Sequence, residues 1–169
     1  MSEEMPPLDV RRLLLVLADH RVKYVVIGGV AALLQDVPMP PTLDLDITPE
    51  RTPENLERLA AALEEMEAKV RGMQVDEGVE IPLDARMLAN MQTMTFVTKY
   101  GPFDVSINPD GTKGYRDLRK HAMELRTFGI MVPVASVEDI IRSKEAANRE
   151  KDAPHLVILY AFLRSLEER

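Results

Sequence analysis

Leu43-Asp44-Leu45-Asp46-Ile47 alternates apolar and acidic residues without interruption. A period of two belongs to a β-strand, whose successive side chains point to opposite faces. Asp44 and Asp46 then share one face, and Leu43, Leu45 and Ile47 are expected to face the core. Two carboxylates about 7 Å apart on one face repel unless a cation sits between them. A hard divalent ion is the natural partner, and Mg²⁺ is commonly held by one or two carboxylates plus phosphate.

Two further segments extend this reading. Phe103-Asp104-Val105 again sets one acid between apolar neighbours. If its strand lies beside the first, three carboxylates meet on one surface and suit a two-metal site. Such a site activates an attacking hydroxyl and stabilises a leaving pyrophosphate. Upstream, the β-branched run Lys23–Ile27 reads as a buried strand that ends at Gly28-Gly29, before a helix over Val30–Gln35. Glycine lets the backbone approach a ligand closely, and helix N–H groups favour an anion. The order of strand, Gly28-Gly29, helix and twin-Asp strand forms a plausible triphosphate clamp.

The rest of the chain reads as alternating helices and strands. Helices are expected over Leu8–His20, from a Thr52 cap to about Lys69, after Asp84 to Ala89, over Tyr115–Lys120, from a Ser136 cap to about Ala147, and from Pro154 onward. Thr93–Thr98 and Phe103–Ile107 form the clearest hairpin. Glu124–Phe128 and Ile130–Val134 are extended segments around Gly129, Asp36–Pro41 is a proline-rich loop, and Gly72–Pro82 is poorly patterned. No repeat or linker divides the chain, so residues 1–169 are expected to form a single α+β domain, a small mixed β-sheet flanked by helices.

Composition narrows the function classes. No cysteine is present, which excludes disulfides, thiolate chemistry and zinc–thiolate sites. The net charge of −7 argues against broad nonspecific binding to nucleic acid. The charge is uneven, because Thr112–Lys151 carries 9 Lys/Arg against 6 Asp/Glu. No apolar run approaches the roughly 20 residues that cross a bilayer, and the acidic start is unlike a signal peptide, so a cytoplasmic protein is expected. His20, His121 and His155 lack metal-ligand spacing and are expected to be neither ligands nor catalysts. Ser106 shares the face of Asp104 without an identifiable base.

With these residues in place, the chain resembles the nucleotidyltransferase superfamily related to DNA polymerase beta. The residues that carry the likeness are Gly28, Gly29, Thr42, Asp44, Asp46 and Asp104. Within the superfamily it most resembles the AbiEii-like branch, which includes toxins of type IV toxin–antitoxin pairs. Lys144, Arg149 and Asp152 match the downstream pattern of that branch. The resemblance implies a nucleotidyltransferase fold and Mg²⁺-dependent transfer of a nucleoside monophosphate from an NTP to a hydroxyl on tRNA, protein or a small molecule. It implies two ions when the NTP is bound, held by Asp44, Asp46 and Asp104, with Asp104 as ligand or base. Gly28, Gly29, Thr42, Lys144, Arg149 and Asp152 would bind the nucleotide or order the site, and a cognate antitoxin would be a partner. Pro40 stands where the family usually carries an Arg, and Gly29 stands where a Ser is often found. These departures, with the short segment after the last helix, leave open a catalytically degenerate binding module.

Overall fold

The computed structural model describes residues 5–71 and 82–169. Most of the Gly72–Pro82 stretch lies outside them. The chain runs α1 (Val10–Asp19), β1 (Tyr24–Ile27), α2 (Gly28–Leu34), β2 (Leu45–Pro49), α3 (Pro53–Glu65), β3 (Lys69–Val70), α4 (Ala85–Ala89), β4 (Thr93–Thr98) and β5 (Gly101–Ser106). It continues through α5 (Tyr115–His121), β6 (Met123–Thr127), β7 (Ile130–Val134), α6 (Val137–Ala147), a 3₁₀ turn (Glu150–Asp152) and α7 (Ala153–Glu167).

The strands form one mixed sheet in the order β3-β4-β5-β2-β1-β7-β6. β1 pairs antiparallel with β2 and parallel with β7, and β2 pairs parallel with β5. The two parallel pairings therefore join segments far apart in sequence. Leu45, Ile47, Phe103 and Val105 are fully buried on the face opposite the carboxylates. Phe96 stacks on Phe103 with ring centroids 6.4 Å apart, an arrangement that adds to the area term of aromatic burial. α1 contributes Leu13, Leu14 and Leu17, and α3 contributes Leu56, Leu59 and Leu63, all buried. The core is thus built from strand residues at i and i+2 and helix residues at i, i+3 and i+4.

Capping follows the sequence signals. Asp9, Thr52, Asp84 and Ser136 each accept a hydrogen bond from a first-turn N–H, and Pro53 opens α3.

Several expectations are corrected. Leu43 does not face the core: it is 81% exposed, because β2 begins only at Leu45 and Asp44 sits on the approach to it. Gly28 and Gly29 form the first turn of α2 rather than a turn before it. α3 stops at Glu65, where Met66 caps it and Glu67 turns with φ 53°, and Lys69-Val70 joins the sheet. The extended segments near Gly129 form a second hairpin, turned by Phe128 and Gly129, both at positive φ.

Candidate active site

Two pairings assemble the carboxylates. Parallel register sets Asp46 beside Asp104, and antiparallel register sets Ile27 beside Asp46. The residue after Ile27 is Gly28, which therefore lies against Asp46. A Cβ on Gly28 would stand 2.6 Å from Asp46 Oδ2, and its φ of +69° is also left-handed. A Cβ on Gly29 would stand 3.1 Å from the Thr42 hydroxyl. That hydroxyl donates to the Asp44 carbonyl at 3.2 Å and shapes the approach to β2. The glycine turn and the acidic strand are thus packed as one unit.

Asp44, Asp46 and Asp104 each offer an oxygen within 4.8 Å of the others. Two oxygens on opposite sides of a Mg²⁺ ion would span about 4.2 Å, so small side-chain movements would close the group on an ion. Burial pushes the Asp46 carboxyl up to about 8, and Asp44 beside it adds to the rise, while Lys144 opposes it. Burial also lifts Asp104 to about 6, with Asp44 again raising it. Asp104 Oδ1 is buried without a hydrogen-bond partner. An unpartnered buried oxygen among crowded carboxylates fits a cation-binding group. The donor set is all oxygen, which fits Mg²⁺ or another hard ion.

The C-terminal cluster forms the facing wall. Asp152 is 3% exposed and accepts from Lys144 Nζ at 3.1 Å and from Arg149 Nε at 2.8 Å. Burial alone would raise the Asp152 carboxyl, but the two cations more than offset this and hold it below the usual range. Arg149 and Asp152 are therefore not a simple surface i,i+3 pair, because the acid is shared with the nearly buried Lys144. A cavity of about 620 Å³ lies between the two walls. Every residue singled out in the sequence lines it: Gly28, Gly29, Thr42, Asp44, Asp46 and Asp104 on one side, Lys144, Arg149 and Asp152 on the other. Pro40 and Pro41 also line it, so the proline loop brings no cation.

Sequence reasoning passed over several neighbours. His155 lines the cavity with Nδ1 3.7 Å from Asp152. Asp139, 7% exposed, lines it too, and is bridged by Arg142 at 3.2 Å and His121 at 3.5 Å. Arg142 also reaches Asp117 at 3.0 Å, which ties α5 to α6. The i,i+3 spacings Asp139–Arg142 and Asp152–His155 were the available signal, but nothing in the sequence showed that these faces point inward.

The fold and the acidic group define a class: the chain has the nucleotidyltransferase fold, with Asp46 and Asp104 on its sheet and Asp44 on the approach to β2. No protein-family model matches the sequence, and no curated protein matches it. Among solved structures it is similar to the lincosamide antibiotic adenylyltransferase LnuA, solved bound to lincomycin, with a TM-score of 0.62 and 15% identity over 91% of this chain and 98% of that one. It is also similar to ANT(2'')-Ia in complex with adenylyl-2''-tobramycin, with a TM-score of 0.57 and 14% identity over 91% and 87%. A solution structure of the antibiotic-resistance factor ANT(2'')-Ia gives 0.56 and 15% over 93% and 82%. No helix among the described residues is long and apolar enough to cross a membrane.

Proposed function

We propose that the chain is a Mg²⁺-dependent nucleotidyltransferase, working as a single domain over residues 1–169 in the cytoplasm. The observation that supports this best is the orphaned Asp104 oxygen within a group of three carboxylates packed against Gly28. Asp44, Asp46 and Asp104 would hold two ions, which when bound would neutralise polyphosphate charge and acidify the attacking hydroxyl. Gly28 and Gly29 would let the backbone close on the triphosphate. Lys144 and Arg149 would contact phosphate, with Asp152 fixing both. In the transfer the acceptor oxygen bonds to the α-phosphorus, the bond from that phosphorus to the bridging oxygen breaks, and pyrophosphate leaves. The acceptor's proton passes to solvent, or to Asp104 where that carboxylate serves as base rather than ligand.

The acceptor is a hydroxyl on tRNA, protein or a small molecule. The AbiEii-like reading favours the first two and adds a cognate antitoxin as partner. A second reading, a degenerate binding module, is favoured by Pro40 on the cavity wall where the family carries a cation. Incubation with α-labelled NTPs, Mg²⁺ and cell extract separates them. The enzyme reading expects a labelled acceptor, with signal falling at least about a hundred-fold in Asp46→Ala. Labelling that survives the substitution rejects the assigned site, and a folded protein that neither labels an acceptor nor shows Mg²⁺-dependent NTP binding supports the module.

A further inference from the structure

The charges around the main cavity narrow what kind of acceptor it receives. Asp44, Asp46 and Asp104 face one another at the metal position, Asp152 is held by Lys144 and Arg149, and Asp139 is held by Arg142 and His121. Apart from the three clustered carboxylates, Asp110 is the one lining acid with no ion-pair partner among the described residues. An acceptor bearing several amines would find little acid left to pair with.

A neighbouring cavity of about 330 Å³ has the opposite sign. Arg51, Lys113 and Arg116 line it against a single acid, Glu50, which lies 3.8 Å from Lys23. Arg51 is oriented by donating to the Ala89 carbonyl at 2.8 Å. Lys113 and Arg116 have no ion-pair partner among the described residues. Asn108 lines both cavities, and the loop that follows carries Asp110 and Thr112 to the first and Lys113 to the second. Gly114, at φ +85°, closes this loop: a Cβ there would stand 2.6 Å from Asn108 Oδ1. Pro49, which lines this cavity, lies three residues beyond Asp46 along β2, a rise of about 10 Å. A cleft with two arginines and a free lysine focuses positive potential and suits the fork geometry of phosphate oxygens.

We propose that this second cavity binds a phosphate group of the acceptor and so turns the acceptor's hydroxyl toward the three carboxylates. The word acceptor rests on the transfer reading above, but the phosphate site itself does not.

The test uses the ¹⁵N-labelled full chain with Mg²⁺ and a nonhydrolysable NTP analogue filling the first cavity. Inorganic phosphate is titrated in, followed by a short 5′-phosphorylated RNA. Amide shifts are expected to cluster at Arg51, Lys113 and Arg116, and K113E/R116E is expected to weaken phosphate binding about ten-fold or more, with a shallower salt dependence. Both side chains are exposed, and circular dichroism checks that the variant is folded. RNA binding well above that of phosphate assigns a strand as the source, and equal affinity assigns a lone phosphate group. Absence of shifts at these residues, or shifts that survive K113E/R116E, overturns the proposal. Phosphate binding without nucleotidyl transfer by the wild type sinks the transfer reading and leaves the site standing. Transfer to the RNA with a KM unchanged in K113E/R116E sinks the site's role toward the acceptor and leaves the transfer reading standing.

Discussion

Gly28 occupies a point where both the backbone angle and the neighbouring carboxylate exclude a side chain. Gly28→Ala is expected to lose about 1–2 kcal/mol from the left-handed conformation alone, and more from contact with Asp46. A thermal melt and a Mg²⁺·NTP titration on one sample would show both losses together. Asp46 makes the opposite prediction. Its folded pKa of about 8 exceeds the value near 4 of an unfolded chain, so the native state takes up a proton. The stability this supplies is complete below about pH 4 and is lost as pH rises toward 8 and beyond. In chelator, Asp46→Asn should therefore melt higher than wild type by about 5 °C near pH 8, and the gap should narrow toward pH 5. A gap that widens on acidification would contradict the burial of this carboxylate.

At the scale of elements, α6 and α7 matter because together they carry the cationic wall. The Ser136 cap starts α6, Lys144 leaves its last turn, Asn148 caps it in the left-handed region, and the 3₁₀ turn delivers Asp152 back to Lys144. Asp152→Asn removes the charge that both cations share. Loss of a buried partner of this kind costs about 3 kcal/mol, to be read from a denaturation midpoint. The same change is expected to raise the KM for NTP more than it lowers kcat, because Lys144 and Arg149 lose their anchor while the three carboxylates stay in place. An unchanged KM would show that these cations do not meet the nucleotide. These helices were legible from their capping residues and apolar spacing. The second hairpin was legible only as two extended pieces. β3 was not legible, because two residues paired at a sheet edge carry no periodicity.

For the whole molecule, the decisive contacts are non-local. The alternation through Asp44 and Asp46 and the apolar flanks of Asp104 were readable in the sequence, and so was the Gly28-Gly29 break. Their meeting depends on parallel pairing between β2 and β5, a register that no local pattern specifies. Leu43 shows the converse. Its place in the alternation pointed inward, yet the strand starts after it, and the proline loop leaves it in solvent. The cavity between the two walls was readable as residue types and not as a shape, so the inward placement of His155 and Asp139 and the adjoining basic cleft were not legible. The surface as a whole is acidic, with a net charge of −7. An anionic ligand must therefore be drawn in locally by Lys144, Arg149 and their neighbours, and its binding should weaken steeply with added salt.

Calorimetric titration of a nonhydrolysable NTP into the wild type and Asp46→Asn, each with Mg²⁺ and with chelator, addresses the three carboxylates most directly. Binding by the wild type that is at least about ten-fold tighter with Mg²⁺, with that gain abolished in Asp46→Asn, is the predicted result. Equal affinity with and without the ion, or an ion-dependent gain that persists in Asp46→Asn, would show that these carboxylates do not hold metal for a nucleotide.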